Sequence, residues 1–305
     1  MNYEYYKIFY YVGKHKNITR AAAELFSSQP AVTRVIQNME FELGCTLFVR
    51  TKTGVEFTHE GELLYDYVSV ACQQLIKAEE ELSQSVSLSG GTVYIGATVT
   101  ALTCYLFDFL NAYREKYPNV KFKIQTSSTV KTIDSLKNGS VDMAFVTTPF
   151  SIAQPMVMTE ILKFNDVLIG GKNYAQIAKK ALSVKQLNEF PMIGLTKKMQ
   201  LRKFVDDVLS DHDMSLSYDI EVDSADIMIS MVENGWGLAI APEPMTRESI
   251  ARGKLLKIPL VETFPPRKVC LIYNPRHPQT HASRELCRMV IANESTNNKN
   301  STNNN

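Results

Sequence analysis

The chain has no apolar stretch long enough to cross a membrane, since no run reaches the roughly 18 residues that a spanning helix needs. Its first residues, Met1 to Lys7, are acidic and aromatic, whereas a secretion signal begins with a basic segment followed by an apolar one. We therefore expect a cytoplasmic protein that makes no contact with a membrane.

The sequence also has no excess of positive or negative charge. The sequence contains 33 Lys and Arg against 32 Asp and Glu, which gives a formal net charge of +1. This excludes a generally polybasic protein. Taken alone, it also argues against nucleic-acid binding, because phosphates are neutralised by Lys and Arg at the contact surface.

The five cysteines do not form a ligand cluster. They stand at positions 45, 72, 104, 270 and 287, too dispersed for a Cys-x-x-Cys metal site. In a reducing compartment an odd number of scattered cysteines indicates free, mostly buried thiols.

Catalytic motifs are absent too. His277 and His281 are four residues apart, but Pro278 lies between them and the H-E-x-x-H pattern is not formed. The sequence contains no P-loop and no G-x-S-x-G, and Gly235-Trp236-Gly237 lacks the third glycine of a dinucleotide fingerprint. We expect neither an enzyme nor a bound metal or cofactor.

What is present is a chain of 305 residues, enough for two domains of roughly 100 to 200 residues each. A compact unit reaches to about residue 57, and an unbroken helical pattern follows to about residue 88, where Ser89-Gly90-Gly91 interrupts it. Beyond this break, short β-branched runs alternate with helical patterns, which is typical of βα units. The runs are 93–95, 120–124, 143–146, 167–169, 220–222 and 269–273.

The N-terminal unit contains two short helices joined by a tight turn, which predicts a helix-turn-helix. The first covers 18–26, and the second runs from Gln29 to about Leu43, with Ser28 as N-cap, Pro30 in its first turn and Gly44 at its end. The residues predicted to be buried are Ile18, Ala22, Leu25 and Phe26 in the first helix and Val32, Val35, Ile36, Met39 and Leu43 in the second.

Residues 45–58 contain two alternating apolar strands around a predicted turn at Thr53-Gly54, which indicates a β-hairpin wing. From Thr58, a plausible N-cap, the next helix carries apolar residues at spacings of four and three, the pattern of a heptad seam. These residues are Leu64, Val68, Ala71, Leu75, Ala78 and Leu82. A helix of this span is about 45 Å long, so we expect it to pair with a second copy, the alternative being that the seam packs on its own chain.

At this point the sequence resembles the LysR-type transcriptional regulators, densely in residues 1–65 and more loosely over 92–290. The residues that carry the resemblance are Phe9, Ile18-Thr19-Arg20-Ala21-Ala22, Ser28-Gln29-Pro30-Ala31-Val32-Thr33, Glu40, Leu43-Gly44, Leu47-Phe48, Arg50, Thr58 and Gly61, then Tyr117-Pro118-Asn119-Val120, Asn138-Gly139-Ser140-Val141-Asp142-Met143-Ala144 and residues 232–242. Thr33 stands where the family usually has Ser, and the hydroxyl is kept.

The resemblance implies a multidomain chain. Residues 1–58 are an all-α winged helix-turn-helix, 59–89 a linker and dimerisation helix, and 90–292 an α/β effector-binding domain of periplasmic-binding-protein architecture. Its lobe one covers 92–161 and 268–292 and its lobe two covers 162–267. Residues 293–305 contain almost only Asn, Ser and Thr and predict a disordered tail.

Counted by region, the charge favours DNA binding. Residues 14–39 carry four Lys and Arg against one acid, a net of +3, and the wing adds Arg50 and Lys52. The positions predicted to contact DNA are Thr19, Arg20, Ser28, Gln29, Pro30, Ala31, Thr33, Arg34, Gln37, Arg50 and Lys52. Gln29, Thr33 and Arg34 suit base edges, Pro30 and Ala31 suit thymine methyl groups, and Thr19, Arg20, Ser28, Arg50 and Lys52 suit phosphates.

The family further implies partners: a palindromic operator with half-sites one helical turn apart, an antiparallel homodimer assembling into a homotetramer, RNA polymerase, and a small metabolite. The metabolite would lie between the lobes, where polar residues follow the strands. Candidate contacts are Thr98, Val99, Thr100, Ser127, Ser128, Thr147, Thr148, Thr196 and Lys197. Hydroxyls at helix starts favour an anion, although they are equally ordinary N-caps. No Arg is recognisable from the sequence as a buried carboxylate ligand, so Lys197 is the candidate counter-ion.

Two alternatives remain. A redox-sensing regulator needs reactive cysteines, and the family's peroxide sensors carry them in the second lobe, where residues 162–264 contain none; Cys104 is the remaining candidate. A secreted solute-binding protein would share the α/β part but not the helix-turn-helix.

Overall fold

The computed structural model describes residues 2–84 and 91–302. The chain divides into two compact units, a mainly helical N-terminal unit and a larger α/β unit. Among the helices of the described residues, none has the length and apolar character that crossing a membrane requires.

The N-terminal unit packs four helices and a two-stranded hairpin around one core. Its elements are α1 (Tyr3–His15), α2 (Ile18–Glu24), α3 (Gln29–Leu43), β1 (Phe48–Thr51), β2 (Gly54–Phe57) and α4 (His59–Gln84). Helix α1 was not predicted. The Asn2 side chain caps this helix by accepting a hydrogen bond from the backbone N–H of Tyr5. The helix supplies two fully buried side chains, Phe9 and Val12, to the core.

The bounds of α3 agree with the predicted ones because its caps are local. The Ser28 side chain accepts a hydrogen bond from the backbone N–H of Ala31, and Gly44 ends the helix in the left-handed region at φ 69°. Val32, Ile36 and Met39 are buried, as predicted.

Three local predictions were wrong. Helix α2 ends at Glu24, and Phe26 lies in the turn at φ 50° with its side chain fully exposed. Leu43 is the last residue of α3 and is also exposed, because it lies beyond the part of the helix that packs on the core. Thr51 pairs with Gly54, so the hairpin loop consists of Lys52 and Thr53 and not of Thr53-Gly54.

Glu40 joins α3 to the wing. Its Oε1 accepts hydrogen bonds from the backbone N–H groups of Leu47 (2.7 Å) and Phe48 (3.2 Å), in partly buried surroundings. A carboxylate that accepts two backbone N–H groups satisfies donors that strand pairing does not.

We expect Glu40→Ala to lower the free energy of unfolding by about 2 kcal/mol, because hydrogen bonds to charged groups are worth about 1.5–3 kcal/mol. Urea denaturation followed by circular dichroism measures this change. Glu40→Gln keeps one acceptor oxygen and is the matched control, so it should lose clearly less. Equal losses for the two variants would contradict the assigned role.

The first lobe of the α/β unit is built on a five-stranded sheet with strand order β4-β3-β5-β12-β6. The strands are β3 (Gly91–Ala97), β4 (Val120–Thr126), β5 (Met143–Thr147), β6 (Val157–Phe164) and β12 (Arg267–Tyr273), with helices α5 (Val99–Ala101), α6 (Phe107–Lys116), α7 (Thr129–Lys137) and α12 (His281–Thr302). A π-helical segment, Leu102–Leu106, connects α5 to α6. Strands β3, β4 and β5 are parallel neighbours, and β12 is antiparallel to β5 and β6.

The second lobe contains a three-stranded sheet of order β10-β7-β11 and the parallel pair β8-β9. Its strands are β7 (Asp166–Gly171), β8 (Ile193–Leu195), β9 (Ile220–Val222), β10 (Leu238–Pro242) and β11 (Leu255–Ile258), with helices α8 (Val184–Leu187), α9 (Gln200–Ser210), α10 (Ala225–Glu233) and α11 (Glu243–Ala251) and two short 3-10 turns. All six predicted strand runs lie in strands of the two lobes, whereas β6, β8, β10 and β11 were not predicted.

Two boundaries differ from the predicted ones. The chain leaves lobe one after Phe164, not at residue 161, because β6 keeps pairing with β12 up to that residue. The last helix continues to Thr302, into the segment that composition predicts to be a disordered tail. Its packed first turns, which bury Leu286 and Val290, provide the nucleus from which a helix elongates at little cost. Residues 303–305 and the predicted break at 89–90 lie outside the described residues.

Candidate functional site

The outer face of α3 forms one shallow polar surface. It is lined by Gln29, Pro30, Thr33, Arg34 and Gln37. All of these except the half-buried Thr33 are exposed, and Ala31 beside them is exposed as well. Because Val32, Ile36 and Met39 anchor the opposite face of the helix in the core, the exposed face is held in a fixed orientation.

The predicted phosphate-contacting residues surround this surface. Thr19 Oγ1 donates a hydrogen bond to Gln29 Oε1 (3.3 Å), which links α2 to the start of α3. Arg20, Ser28, Arg50 and Lys52 are exposed on α2, at the α3 cap and on the hairpin. Within residues 2–84, none of the three basic residues Arg20, Arg50 and Lys52 forms an ion pair, so their charges are available to a partner.

One base counted in the sequence is already neutralised. Lys14 Nζ lies 2.7 Å from Glu24 Oε1, and His15 contacts the other carboxylate oxygen of the same residue. The hydrogen bond from Lys14 holds the pKa of the Glu24 carboxyl below its usual value, although burial acts in the opposite direction. Lys14 therefore contributes less to the basic surface than the sequence count suggests.

A cleft of about 520 Å³ lies between the two lobes of the α/β unit. Helices of both lobes begin at its wall, since the first residues of α5 and α7 and those of α9 and α10 line it. Neither α9 nor α10 has a side chain capping its first turn, so the backbone N–H groups there remain open. The cleft thus presents the positive ends of four helical segments.

Seven of the nine predicted contact residues line this cleft: Thr98, Val99, Thr100, Ser127, Ser128, Thr147 and Thr196. The other two do not. Thr148 turns away, and its hydroxyl accepts a hydrogen bond from the backbone N–H of Lys268 (2.9 Å). In the loop before α9 it is Lys198, not Lys197, that lines the cleft.

Some hydroxyls of the cleft have partners within the described part of the protein and others do not. Thr98 caps α5, Ser127 shares a hydrogen bond with Thr132, and Thr196 donates to Asp223 Oδ1 (2.8 Å), so these three are engaged within the protein. Thr129 and Thr147 are at most 5% exposed, and neither hydroxyl makes a hydrogen bond to another described residue. Because both residues line the cleft, their hydroxyls are available to a ligand bound there.

The basic residues of the cleft are Lys131, Lys198 and Arg267, against one acid, Asp223. Neither Lys131 nor Lys198 forms an ion pair in the described part of the chain. Arg267 was missed in the sequence, which predicted no buried Arg. It is 2% exposed, and its Nε and Nη2 donate to the two carboxylate oxygens of Asp166, at 2.6 Å each. The only sequence signal was an Arg directly after Pro265-Pro266 at the return crossing.

Helix α4 carries an exposed apolar stripe. Leu63, Tyr67 and Leu75 are 58%, 73% and 45% exposed, and Ala71 and Ala78 continue the same face. Leu64 and Val68, which were predicted to belong to this seam, pack instead against the core of the N-terminal unit. The other four predicted seam residues, Ala71, Leu75, Ala78 and Leu82, are exposed, so the exposed stripe departs from the predicted seam only in its first two turns.

The cysteines are free thiols. Burial raises the pKa of the Cys104 thiol to about 12 and that of the Cys287 thiol to about 11. Over residues 2–84 and 91–302, no group of three or more His, Cys, Asp and Glu side chains is arranged to hold a metal ion.

Comparison with known proteins agrees with these features. Residues 4–62 match the family described as bacterial regulatory helix-turn-helix protein, lysR family, and residues 87–294 match the LysR substrate binding domain. A probable RuBisCO transcriptional regulator of Synechocystis sp. is 27% identical over 293 residues, 93% of this chain and 84% of the relative.

Among solved structures, a full-length OxyR variant from Pseudomonas aeruginosa has a TM-score of 0.66 at 20% identity, covering 96% of this chain and 94% of the other. Full-length CbnR in complex with its target DNA has a TM-score of 0.64 at 16% identity, covering 95% and 99%. These likenesses extend the agreement in fold over nearly the whole chain. The two family matches identify the chain as a member of the LysR family, a DNA-binding transcriptional regulator with an effector-binding domain.

Proposed function

We propose that this regulator is controlled by a small anion that binds between its two α/β lobes, and that it reads DNA as a homodimer through α3 and the wing. The observation that carries the effector proposal is the convergence of four helical N-termini and two unpaired lysines on one cleft. Open backbone N–H groups and the helix dipole both favour negative charge there.

The balance of charge in the cleft supports an anion over a cation. Lys131 and Lys198 have no acidic partner in the described residues, whereas the one acid of the lining, Asp223, already accepts a hydrogen bond from Thr196. The volume of about 520 Å³ lies within the range of roughly 300–1,000 Å³ that is usual for small-molecule sites.

Thermal-shift measurements on the full chain test this proposal. Inorganic phosphate or sulfate at about 100 times its dissociation constant should stabilise the folded state by about 2.7 kcal/mol, a shift in Tm of a few degrees. Lys198→Gln should reduce the shift, and Lys197→Gln, which changes a lysine outside the cleft, is the matched control. Stabilisation by neutral or cationic metabolites, and by no anion, would overturn the proposal.

The DNA contacts are proposed from exposure and chemistry. Gln29, Thr33 and Arg34 share one outer face of α3 and offer the amide, hydroxyl and guanidinium groups that suit base edges. Arg20, Arg50 and Lys52 are exposed around that face and suit phosphates, which position the protein without reading sequence.

A dimer through α4 is supported by the stripe of Leu63, Tyr67 and Leu75, because exposed apolar patches of this kind mark interfaces. Two-fold pairing implies a palindromic operator with half-sites about one helical turn apart. The antiparallel arrangement, the tetramer and a contact with RNA polymerase remain proposals that follow from the family. DNA binding also supports the predicted cytoplasmic location.

Redox sensing is the second candidate, and the thiols do not favour it. The thiolate is the species that reacts with oxidants. With a pKa of about 12, the Cys104 thiol stays protonated at neutral pH.

A further inference from the structure

Arg267 and Asp166 lie at the two points where the chain crosses between the lobes. Asp166 is the first residue of β7, directly after the crossing from β6, and Arg267 is the first residue of β12, directly after the return. In the sheet, Arg267 pairs with Phe164, the last residue of β6. The bidentate ion pair between these side chains therefore ties the two halves of the hinge together.

The guanidinium group of Arg267 is engaged on one edge only. Nε and Nη2 donate to Asp166, and the rings of Phe164 and Phe204 lie with their centroids 4.8 and 5.6 Å from the guanidinium carbon. Nη1 makes no hydrogen bond to any residue in the described part of the chain, although Arg267 is 2% exposed and lines the cleft. Nη1 is therefore free to donate to an acceptor that is bound in the cleft.

We propose that Arg267 binds an oxyanion of the effector, a carboxylate or phosphate group, through Nη1 while Asp166 holds its other edge, so that occupancy of the cleft is transmitted to the hinge. This inference rests on the proposed anionic effector and assigns to it a chemical class and a recognition residue. Because Nη1 is a charged donor, it suits the oxygen atoms of a carboxylate or phosphate group. Lys131 and Lys198 supply the net attraction, since the charge of Arg267 is compensated by Asp166.

Calorimetric titration of the full chain with inorganic phosphate tests this assignment. Arg267→Lys keeps the charge, but one ammonium group cannot hold Asp166 at two positions and also donate to the anion as separate guanidinium nitrogens do, and it should weaken phosphate binding at least about tenfold. Asp166→Asn removes the competing carboxylate charge, and it should strengthen phosphate binding about threefold or more. Arg202→Lys is the matched control. Arg202 is similarly buried and paired with Asp206 and Glu221 but does not line the cleft, so its phosphate affinity should stay within about twofold.

If the ion pair between Arg267 and Asp166 only stabilises the fold, the variants should behave differently. In that case Arg267→Lys and Asp166→Asn would lower Tm and leave phosphate affinity unchanged, which overturns the inference. If Arg267→Lys does not fold, the affinity of Asp166→Asn decides. If neither folds, hydrogen exchange of the wild type decides: phosphate should slow exchange at residues 166–168 and 267–269, and unchanged exchange there overturns the inference.

Failure of the effector proposal itself gives a different result. If the wild type binds neither phosphate nor sulfate, both the anionic effector and the role of Arg267 are wrong. If the wild type binds phosphate and Lys198→Gln weakens it while Arg267→Lys does not, the anionic effector stands and only the role of Arg267 is wrong.

Discussion

We expect Leu75→Glu to convert the proposed homodimer into a monomer and to weaken binding to a two-half-site operator at least about 100-fold. Leu75 lies in the middle of the exposed stripe of α4, between Tyr67 and Ala78. A carboxylate at this position would be buried without a partner in a paired seam, which costs several kcal/mol. In a dimer, binding of one DNA-binding domain raises the effective concentration of the other, which increases the affinity about 10²–10⁴-fold. A monomer loses this gain.

Sedimentation equilibrium measures the assembly, and gel-shift titration on a site selected from random DNA measures the affinity. Glu62→Gln is the control, because Glu62 is exposed on α4 but lies on another face by helical periodicity. Circular dichroism must show that α4 remains helical in the Leu75 variant. A Leu75→Glu protein that stays dimeric would rule out this stripe as the interface.

The sequence predicted the helix-turn-helix well because its boundaries are set by local chemistry. Ser28 and Gly44 act on groups three or four residues away, so the signals that fix α3 lie next to each other in the chain. Phe26 was misjudged because helical periodicity was extended past Glu24, where the chain turns into the left-handed region.

Tertiary contacts explain the other errors in the N-terminal unit. Helix α1 starts in an aromatic segment with moderate helix propensity, and its stability comes from burying Phe9 and Val12. Because α1 was not predicted, the face of α4 that covers its core was not identified either. Leu64 and Val68 were therefore assigned to the exposed seam.

The cleft residues that follow a strand could be predicted from the sequence, whereas a residue placed by a long-range ion pair could not. Seven hydroxyl-rich positions were predicted because the carboxyl ends of parallel strands meet at one edge of a sheet. Lys198 was missed by one residue, since no periodicity fixes the loop before α9. Arg267 depends on Asp166, which lies 101 residues earlier in the chain, and no local pattern indicates such a pair.

Replacing Arg34 and Arg50 separately with Ala is expected to give two different losses of DNA binding. Arg34 lies on the outer face of α3 with Gln29 and Thr33, where a guanidinium can donate to guanine O6 and N7. We expect Arg34→Ala to reduce the ratio of specific to non-specific affinity about 10- to 100-fold, which corresponds to about 1–3 kcal/mol. Arg50, exposed on β1, suits a phosphate, so Arg50→Ala should weaken binding to all sequences alike.

Salt dependence separates the two mechanisms, because each neutralised phosphate contributes about one unit to the slope of log K against log salt. Arg50→Ala should flatten that slope by about one unit, and Arg34→Ala should leave it nearly unchanged while relaxing base preference. Gel-shift titrations on matched and scrambled sites at two or more salt concentrations measure both effects. Lys14→Ala is the matched control, because Lys14 is neutralised by Glu24 at 2.7 Å and should not alter the slope. If Arg34→Ala and Arg50→Ala gave the same slope and the same specificity ratio, the division between base reading on α3 and phosphate contact on the wing would be wrong.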